Sequence, residues 1–277
     1  MLAIGVVGNG FVGQAHVRGF LEHGTVKVFD ALPERRTHPL AEVLQQEIVF
    51  VCLPTPMGPD GAADLSVIDG FFASIAGHNG TLVLKSTVPP GTTDRMAKAH
   101  RLPGLLHSPE FLTARAALID FQCPARMIVG WALHGAMGHA ERVRDVFRSR
   151  FPGVQTLFMR AVESELVKYV CNCFFATKLS FFNEAKLVAE SLDADWDKVM
   201  GGVLADGRIA KSHCFVPGPD GPAVRGFGGS CFPKDLNAFI AFARELGVDP
   251  ILLQAAWDRN VAVRPDVEQP MQHKVPA

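Results

Sequence analysis

The stretch Ala3-Ile4-Gly5-Val6-Val7-Gly8-Asn9-Gly10-Phe11-Val12-Gly13 decides the fold of this chain. A short apolar run, Ala3–Val7, ends in three glycines spaced G-x-G-x-x-G, and a helical pattern follows from Val12 to Glu22. The first glycine allows a tight turn out of a strand. The second lets a phosphate approach the backbone, and the third lets the helix pack close to the strand. A second apolar run, Val26–Phe29, ends at Asp30, where a carboxylate can accept hydrogen bonds from ribose hydroxyls. Strand, glycine turn, helix and acid in this register form a dinucleotide-binding fingerprint carried by Gly8, Asn9, Gly10, Phe11, Val12, Gly13 and Asp30. The acid favours NAD, because it would repel a 2′-phosphate. Arg35, close behind, softens that preference, since it can face either a phosphate or the adenosine. A glycine turn in an unrelated α/β protein is the competing explanation.

Working outward, Ile48–Leu53 reads as a third strand ending in Pro54-Thr55-Pro56, and Thr81–Lys85 as a fourth running into Ser86-Thr87. Met127–Val129 and Gln155–Phe158 read as later strands with a helix near His139–Arg150 between them. Strands separated by helices predict a mostly parallel, Rossmann-like sheet. From Ala161 to Leu192 there is neither proline nor glycine, and apolar residues recur at helical spacing. This predicts one long helix. It carries Phe174, Phe175, Phe181 and Phe182 on more than one side, so it should pack against more than one partner. Further helices are expected at Trp196–Leu204, Asp235–Leu246 and Ile251–Val261, with an irregular loop over His213–Gly229. The expected organisation is an α/β dinucleotide domain over residues 1–160 and a helical domain built on the long central helix over 161–263. A proline-bearing tail over 264–277 is expected to be poorly ordered.

Composition narrows the function. The 277 residues carry a formal net charge of −1, without the basic excess or lysine/arginine runs that nucleic acid or an anionic membrane would attract. Glycines interrupt the apolar N-terminus, and no apolar run is long enough for a bilayer, so a soluble cytoplasmic protein is expected. The cysteines are Cys52, Cys123, Cys171, Cys173, Cys214 and Cys231, and they show no metal-ligand spacing, so no metal site is expected.

Three groups of residues bear on chemistry. Gly226-Phe227-Gly228-Gly229-Ser230-Cys231-Phe232-Pro233-Lys234-Asp235 places a cysteine between a glycine-rich loop and a helix start, with Pro233 read as the first helical residue. Free N–H groups and the helix dipole favour an anion there, so a thiol is expected to gain thiolate character. A buried structural cysteine is the other explanation. Lys168 and Asn172 are four apart on the long helix and share a face. Together they can hold a developing oxyanion, and a neutral lysine can accept a proton. Alone, such a pair is commonly a solvated surface. Glu110, in Ser108-Pro109-Glu110-Phe111-Leu112, a loop expected to follow a strand, is either a helix cap or a base that activates water.

Taken together these motifs resemble the UDP-glucose/GDP-mannose (nucleotide-sugar) 6-dehydrogenase family. The resemblance runs from the fingerprint through Val51–Pro56, Ser86-Thr87-Val88-Pro89-Pro90-Gly91, Ser108–Leu112 and Glu165–Asn172 to Gly226–Asp235. It implies oxidation of a primary sugar alcohol to a carboxylate, with two hydrides passed to two NAD molecules. Cys231 would attack the intermediate aldehyde to give a thiohemiacetal and then a thioester. Glu110, aided by Thr87, would activate water, Lys168 and Asn172 would hold the reacting oxygen, and Asp235 would serve as base through water or Lys168. Cofactor contacts would fall on Pro54, Thr55, Ser86, Thr87 and Lys234 besides the fingerprint and Arg35. Sugar contacts would fall on Glu110, Phe111, Leu112, Lys168, Asn172, Arg208 and Gly228. Arg208 would reach the sugar of a neighbouring subunit, unless it is an ordinary surface arginine, and the long helix would form a homodimer core.

Two departures from the family pattern stand out. A second glutamate expected four residues after Glu110 is replaced by Ala114, which bears on the nicotinamide end of the cofactor. The family's further α/β domain, which binds the base, is not represented in this sequence, so a short form is expected, and the segment Val216–Gly221 is a candidate to close part of the site. Two other classes remain open: a β-hydroxyacid-type dehydrogenase, which shares the Lys-x-x-x-Asn pair and makes one oxidation without a thiol, and a non-catalytic cofactor- or sugar-nucleotide-binding module.

Overall fold

The computed structural model describes residues 2–113, 116–132, 134–218 and 224–267. Among them, residues up to Pro56 together with Asp64–Lys168 form one compact unit, and Met57–Ala63 with the residues from Tyr169 onward form another.

The first unit alternates strands and helices in the order β1 (Leu2–Val7), α1 (Phe11–Phe20), β2 (Gly24–Phe29), α2 (Leu40–Leu44), β3 (Ile48–Val51), α3 (Ser66–Ser74), β4 (Thr81–Leu84), α4 (Thr92–Ala99), β5 (Leu105–His107), α5 (Ala117–Gln122), β6 (Met127–Trp131), α6 (Met137–Arg150) and β7 (Thr156–Arg160). The sheet order is β2-β1-β3-β4-β5-β6-β7. All neighbours are parallel except β5 and β6, which pair antiparallel through Leu106↔Trp131 and His107↔Gly130. This is the Rossmann-like, mostly parallel sheet that the sequence predicts. Such sheets are covered on both faces, and β3 shows why this one must be. Ile48 and Phe50 join one apolar layer with Ile4, Val6, Phe20 and Phe147, while Val49 and Val51 join the opposite layer with Val43, Ile68, Phe72 and Leu84. The strand order reverses between β1 and β3, and in open α/β sheets the crevice beyond the strand ends at such a reversal is where ligands bind.

α7 (Ala161–Ser191) is the single uninterrupted long helix that the sequence predicts. In the second unit it is followed by α8 (Trp196–Leu204), α9 (Phe232–Glu245) and α10 (Ile251–Val263). α8 starts where Asp195 accepts hydrogen bonds from the Asp197 and Lys198 amides, a side-chain N-cap. α9 begins at Phe232 rather than Asp235, with Cys231 as its N-cap and Pro233 as its second rather than its first residue. Proline fits both positions, because neither N–H has a partner inside the helix. One apolar cluster gathers Cys173, Ala176, Phe227, Leu236, Ile240 and Trp257, and a smaller one gathers Phe182, Met200, Cys214 and Val216. The phenylalanines of α7 divide accordingly. Phe182 is buried, Phe175 stacks on His213 with ring centroids 4.1 Å apart, and Phe174 and Phe181 remain 61% and 64% exposed. Ala114 and the segment 219–223 lie outside the described residues, as does the tail from 268 onward.

Candidate active-site residues

The fingerprint turn joins β1 to α1. Gly8 has φ +88°, and a Cβ there would lie 2.5 Å from the Cys52 carbonyl oxygen, so the ends of β1 and β3 approach this closely only with glycine. A Cβ at Gly13 would overlap the Gly8 carbonyl, whereas one at Gly10 would meet nothing within 4 Å. The turn is closed beneath and open above, as an incoming pyrophosphate requires. No side chain caps the start of α1 at Gly10, which leaves that helix end to an anion. Asp30 is fixed by two amides: Asn9 N–H donates to Oδ2 at 2.6 Å and Leu32 N–H to Oδ1 at 2.9 Å. The Asn9 side-chain NH₂ donates to the Arg35 carbonyl at 2.7 Å, while Asn9 Oδ1 is buried without a hydrogen-bond partner. Arg35 is exposed in a short turn over Pro33–Arg35. Phe11 is exposed and Val12 half-buried.

The turns after β3 and β4 are stitched together. Thr55 Oγ1 donates to the Thr87 carbonyl at 2.9 Å, and Ser86 Oγ donates to the Leu53 carbonyl at 2.6 Å. Pro54 is exposed on this rim. These residues fit a dinucleotide: the open N-terminus of α1 would take the pyrophosphate, Asp30 a ribose, and the Pro54–Thr55 and Ser86–Thr87 turns the remainder.

Also in the first unit, Lys168 is 4% exposed, so it is not part of a solvated face. Its Nζ donates to Glu110 Oε1 and to the Glu110 carbonyl, each at 2.8 Å. Glu110 Oε2 accepts the Leu112 amide at 2.6 Å. Glu110 is therefore not a helix cap: α5 starts only at Ala117, and the carboxylate is held by a lysine and by its own turn. Phe111 lies under the Arg126 guanidinium, 3.9 Å from the ring centroid, with Lys168 Nζ at 5.5 Å. An ammonium has three donors, so Lys168 keeps one beyond the two spent on Glu110.

In the second unit, Asn172 Nδ2 donates to Asp235 Oδ2 at 2.6 Å, and Lys234 pairs with Asp235 Oδ1. Asp235 is 1% exposed, so both carboxylate oxygens are engaged in a nearly dry setting. Cys231 is exposed at the start of α9, its Sγ 3.8 Å from Ser230 Oγ, and its carbonyl accepts the Asp235 amide at 2.8 Å. The buried structural explanation for this thiol fails. Cys173 and Cys52 are the inert cysteines: burial pushes the Cys173 thiol well up, and the Cys52 thiol up to about 12. No disulfide joins the six cysteines. Gly228 backs onto the Arg264 guanidinium, which a Cβ would strike at 2.5 Å. Arg208 projects outward, its side chain 90% exposed, and pairs with Asp206 at 2.6 and 2.9 Å.

Sequence reading passed over several buried ionisable groups. Glu165 accepts the Gly91 amide, the Thr93 amide and Thr93 Oγ1, tying α7 to the start of α4; burial pushes its carboxyl up to about 7 against these hydrogen bonds. His107 lies between Ser164 and the Ser86 carbonyl, and burial, with Lys85 nearby, lowers it to about 3. Lys85, the residue closing β4, is 3% exposed and donates to Ser108 Oγ and the Pro109 carbonyl. A lysine directly after a run as apolar as Leu82-Val83-Leu84 is the one signal that could have marked it.

Fold and glycine turn define a dinucleotide-binding dehydrogenase architecture. Residues 34–150 match the NAD binding domain, and residues 162–262 the central domain, of the UDP-glucose/GDP-mannose dehydrogenase family. The chain belongs to that family. It is 35% identical over 243 residues to a UDP-glucose 6-dehydrogenase from Pseudomonas aeruginosa, covering 81% of this chain and 51% of that one. A UDP-glucose dehydrogenase structure from Pyrobaculum islandicum is 31% identical with a TM-score of 0.81, covering 95% of this chain and 68% of that chain. A Mycobacterium tuberculosis 3-hydroxyisobutyrate dehydrogenase shares the fold at 17% identity and a TM-score of 0.72, covering 96% of this chain and 95% of that chain. The chain spans about half the length of the curated relatives it matches.

Proposed function

We propose that this chain carries out the NAD-dependent oxidation of the C6 alcohol of a nucleotide sugar of the UDP-glucose kind to the uronate, in two hydride transfers with Cys231 as the covalent nucleophile. The observation that carries the reading is an exposed thiol at the N-cap of α9, one turn before the Asp235 that holds Asn172. Bound NAD supplies a hydride acceptor for each oxidation.

The chain's own groups then have distinct tasks. Lys168, with its remaining donor, and Asn172 hold the sugar oxygen as it loses its proton. The Cys231 sulfur adds to the aldehyde carbon, and the thiohemiacetal that forms stays at the aldehyde level but is tetrahedral, with a hydroxyl and a hydrogen on one carbon, ready to lose a second hydride. That loss leaves a thioester. Glu110 takes a proton from water, the water oxygen bonds to the acyl carbon, and the C–S bond breaks to return the thiolate and free the carboxylate. Thr87, whose carbonyl accepts Thr55 Oγ1, is proposed to aid Glu110 in that step. Asp235, with both oxygens engaged, anchors Asn172 and Lys234 and takes part in proton transfer only through them. Phe111, Leu112 and Gly228 are proposed to contact the sugar, and Arg208 the sugar of a neighbouring subunit.

Incubating the chain with NAD and UDP-glucose, UDP-galactose, GDP-mannose or UDP-N-acetyl sugars tests this reading. Two NADH per sugar oxidised are expected. One NADH would favour the β-hydroxyacid-type class. NAD binding without NADH from any sugar would leave a binding module. Asp30→Ala should raise the NAD dissociation constant about tenfold, the worth of a hydrogen bond to a charged acceptor. Unchanged affinity by calorimetry would show that Asp30 does not meet the ribose.

The family's homodimer is proposed to form through α7. In the second unit Val170, Phe174, Phe181 and Val188 are each more than half exposed, and their spacing places them on one helix face. Phe181→Asp should convert a dimer to a monomer in sedimentation, since burying an unpaired carboxylate costs several kcal/mol. A dimer that survives the change would move the interface elsewhere.

A further inference from the structure

We propose that Lys85 is a positioning residue, fixing from beneath the Ser108–Glu110 turn that presents the water-activating carboxylate. The inference rests on the role proposed above for Glu110. Lys85 continues β4, its amide donating to the Val51 carbonyl at 2.8 Å, so its backbone is tied to the sheet centre. Its ammonium is almost fully enclosed, yet its hydrogen-bond partners are the neutral oxygens Ser108 Oγ at 3.0 Å and Pro109 O at 3.3 Å. An ammonium in this setting is costly, and an apolar side chain would fill the same space at less cost. A purely structural role does not account for the charge.

Its location does. The two groups it holds are the residues immediately before Glu110, and Glu110 is held from the other side by Lys168 and the Leu112 amide. Glu110 and Lys85 feel each other's charge across this turn. The remaining ionisable neighbours are neutral: Cys52 by burial, and His16 and His107, each lowered to about 3. Lys85 and Lys168 thus hold the Glu110 turn from two sides, as cations that contribute to the charge environment of the carboxylate. Burial also lowers Lys85 to about 8, with Lys168 adding to the drop and Cys52 and Glu110 opposing it. Its positive charge, and the field it places on Glu110, is then lost as pH rises through about 8.

The test uses the full chain with NAD and UDP-glucose, comparing wild type, Lys85→Met and Glu110→Gln. Rapid mixing separates the NADH burst, which reports the two hydride transfers, from the steady state, which needs thioester hydrolysis. Lys85→Met is expected to keep the burst and lower the steady-state rate about tenfold or more. Wild type is expected to show a break near pH 8 that the variant lacks. Hydrogen exchange on the free chain supplies a readout without turnover: the Leu112 amide should exchange faster in Lys85→Met. The inference is overturned by a wild-type steady-state rate in Lys85→Met, by equal slowing of burst and steady state, or by unchanged exchange at Leu112. A wild-type hydrolysis rate that climbs unbroken past pH 9 overturns it as well. Should Glu110→Gln hydrolyse at the wild-type rate, the role of Glu110 itself falls. Slow Glu110→Gln beside fast Lys85→Met removes only the assignment of Lys85.

Discussion

Cys231→Ser is expected to bind NAD like the wild type and to make no acid. The side chain is exposed at the N-cap of α9, so the substitution disturbs no packed core. Serine is also among the preferred N-cap residues, so the helix start should hold or gain slightly. What changes is reactivity. A hydroxyl at neutral pH is a far poorer nucleophile than a thiol. Loss of a covalent nucleophile costs on the order of 10³-fold or more in turnover. The measurement is uronate by mass spectrometry, alongside NADH per sugar and NAD affinity. Cys123→Ser is the control, because Cys123 is also exposed, ends α5 and belongs to none of the motifs given a chemical role. Acid at the wild-type rate from Cys231→Ser would sink the covalent route. Loss of NAD binding would recast Cys231 as a structural residue.

What could be read in advance depended on how local the physics was. The fingerprint turn is local, since steric limits at Gly8 and Gly13 act within a few residues, and the observed turn follows the pattern. α8 spans the predicted residues because Asp195 caps it from the adjacent position. β5, three residues long and paired antiparallel to β6, has no periodicity to set its bounds and was legible only as a strand ahead of the Ser108–Leu112 loop. The helices α2 to α5 were expected only as the connections between strands, without bounds. The site divides likewise. Cys231, Lys168 and Asn172 were legible as types at a spacing. That Asn172 finds Asp235, 63 residues away, or that Lys168 is buried against Glu110, 58 residues away, depends on tertiary packing. Glu165 and His107 are titratable residues whose burial no window of neighbours reveals, whereas Lys85 is marked locally only by the apolar run ahead of it.

Lys168→Met should slow the chemical step by about 10² to 10³, the usual loss when a preorganised donor to a developing oxyanion is removed. NAD affinity should change by no more than about threefold, because Lys168 is tied to Glu110 rather than to the fingerprint turn. Methionine keeps the length and apolar body of the side chain, so the buried volume stays filled. Two consequences of the lost ammonium then separate by timing. Removing its unspent donor weakens the hold on the sugar oxygen and slows the first hydride transfer. Releasing Glu110 Oε1 and its carbonyl loosens the carboxylate proposed to activate water and should slow hydrolysis. Lys168→Met should therefore depress both the NADH burst and the steady state, unlike Lys85→Met, which should depress only the second. A variant with normal turnover and a sharply weaker NAD affinity would place Lys168 at the cofactor. One that slows hydrolysis alone would leave Asn172 to hold the reacting oxygen unaided, and would reduce Lys168 to a partner of Glu110.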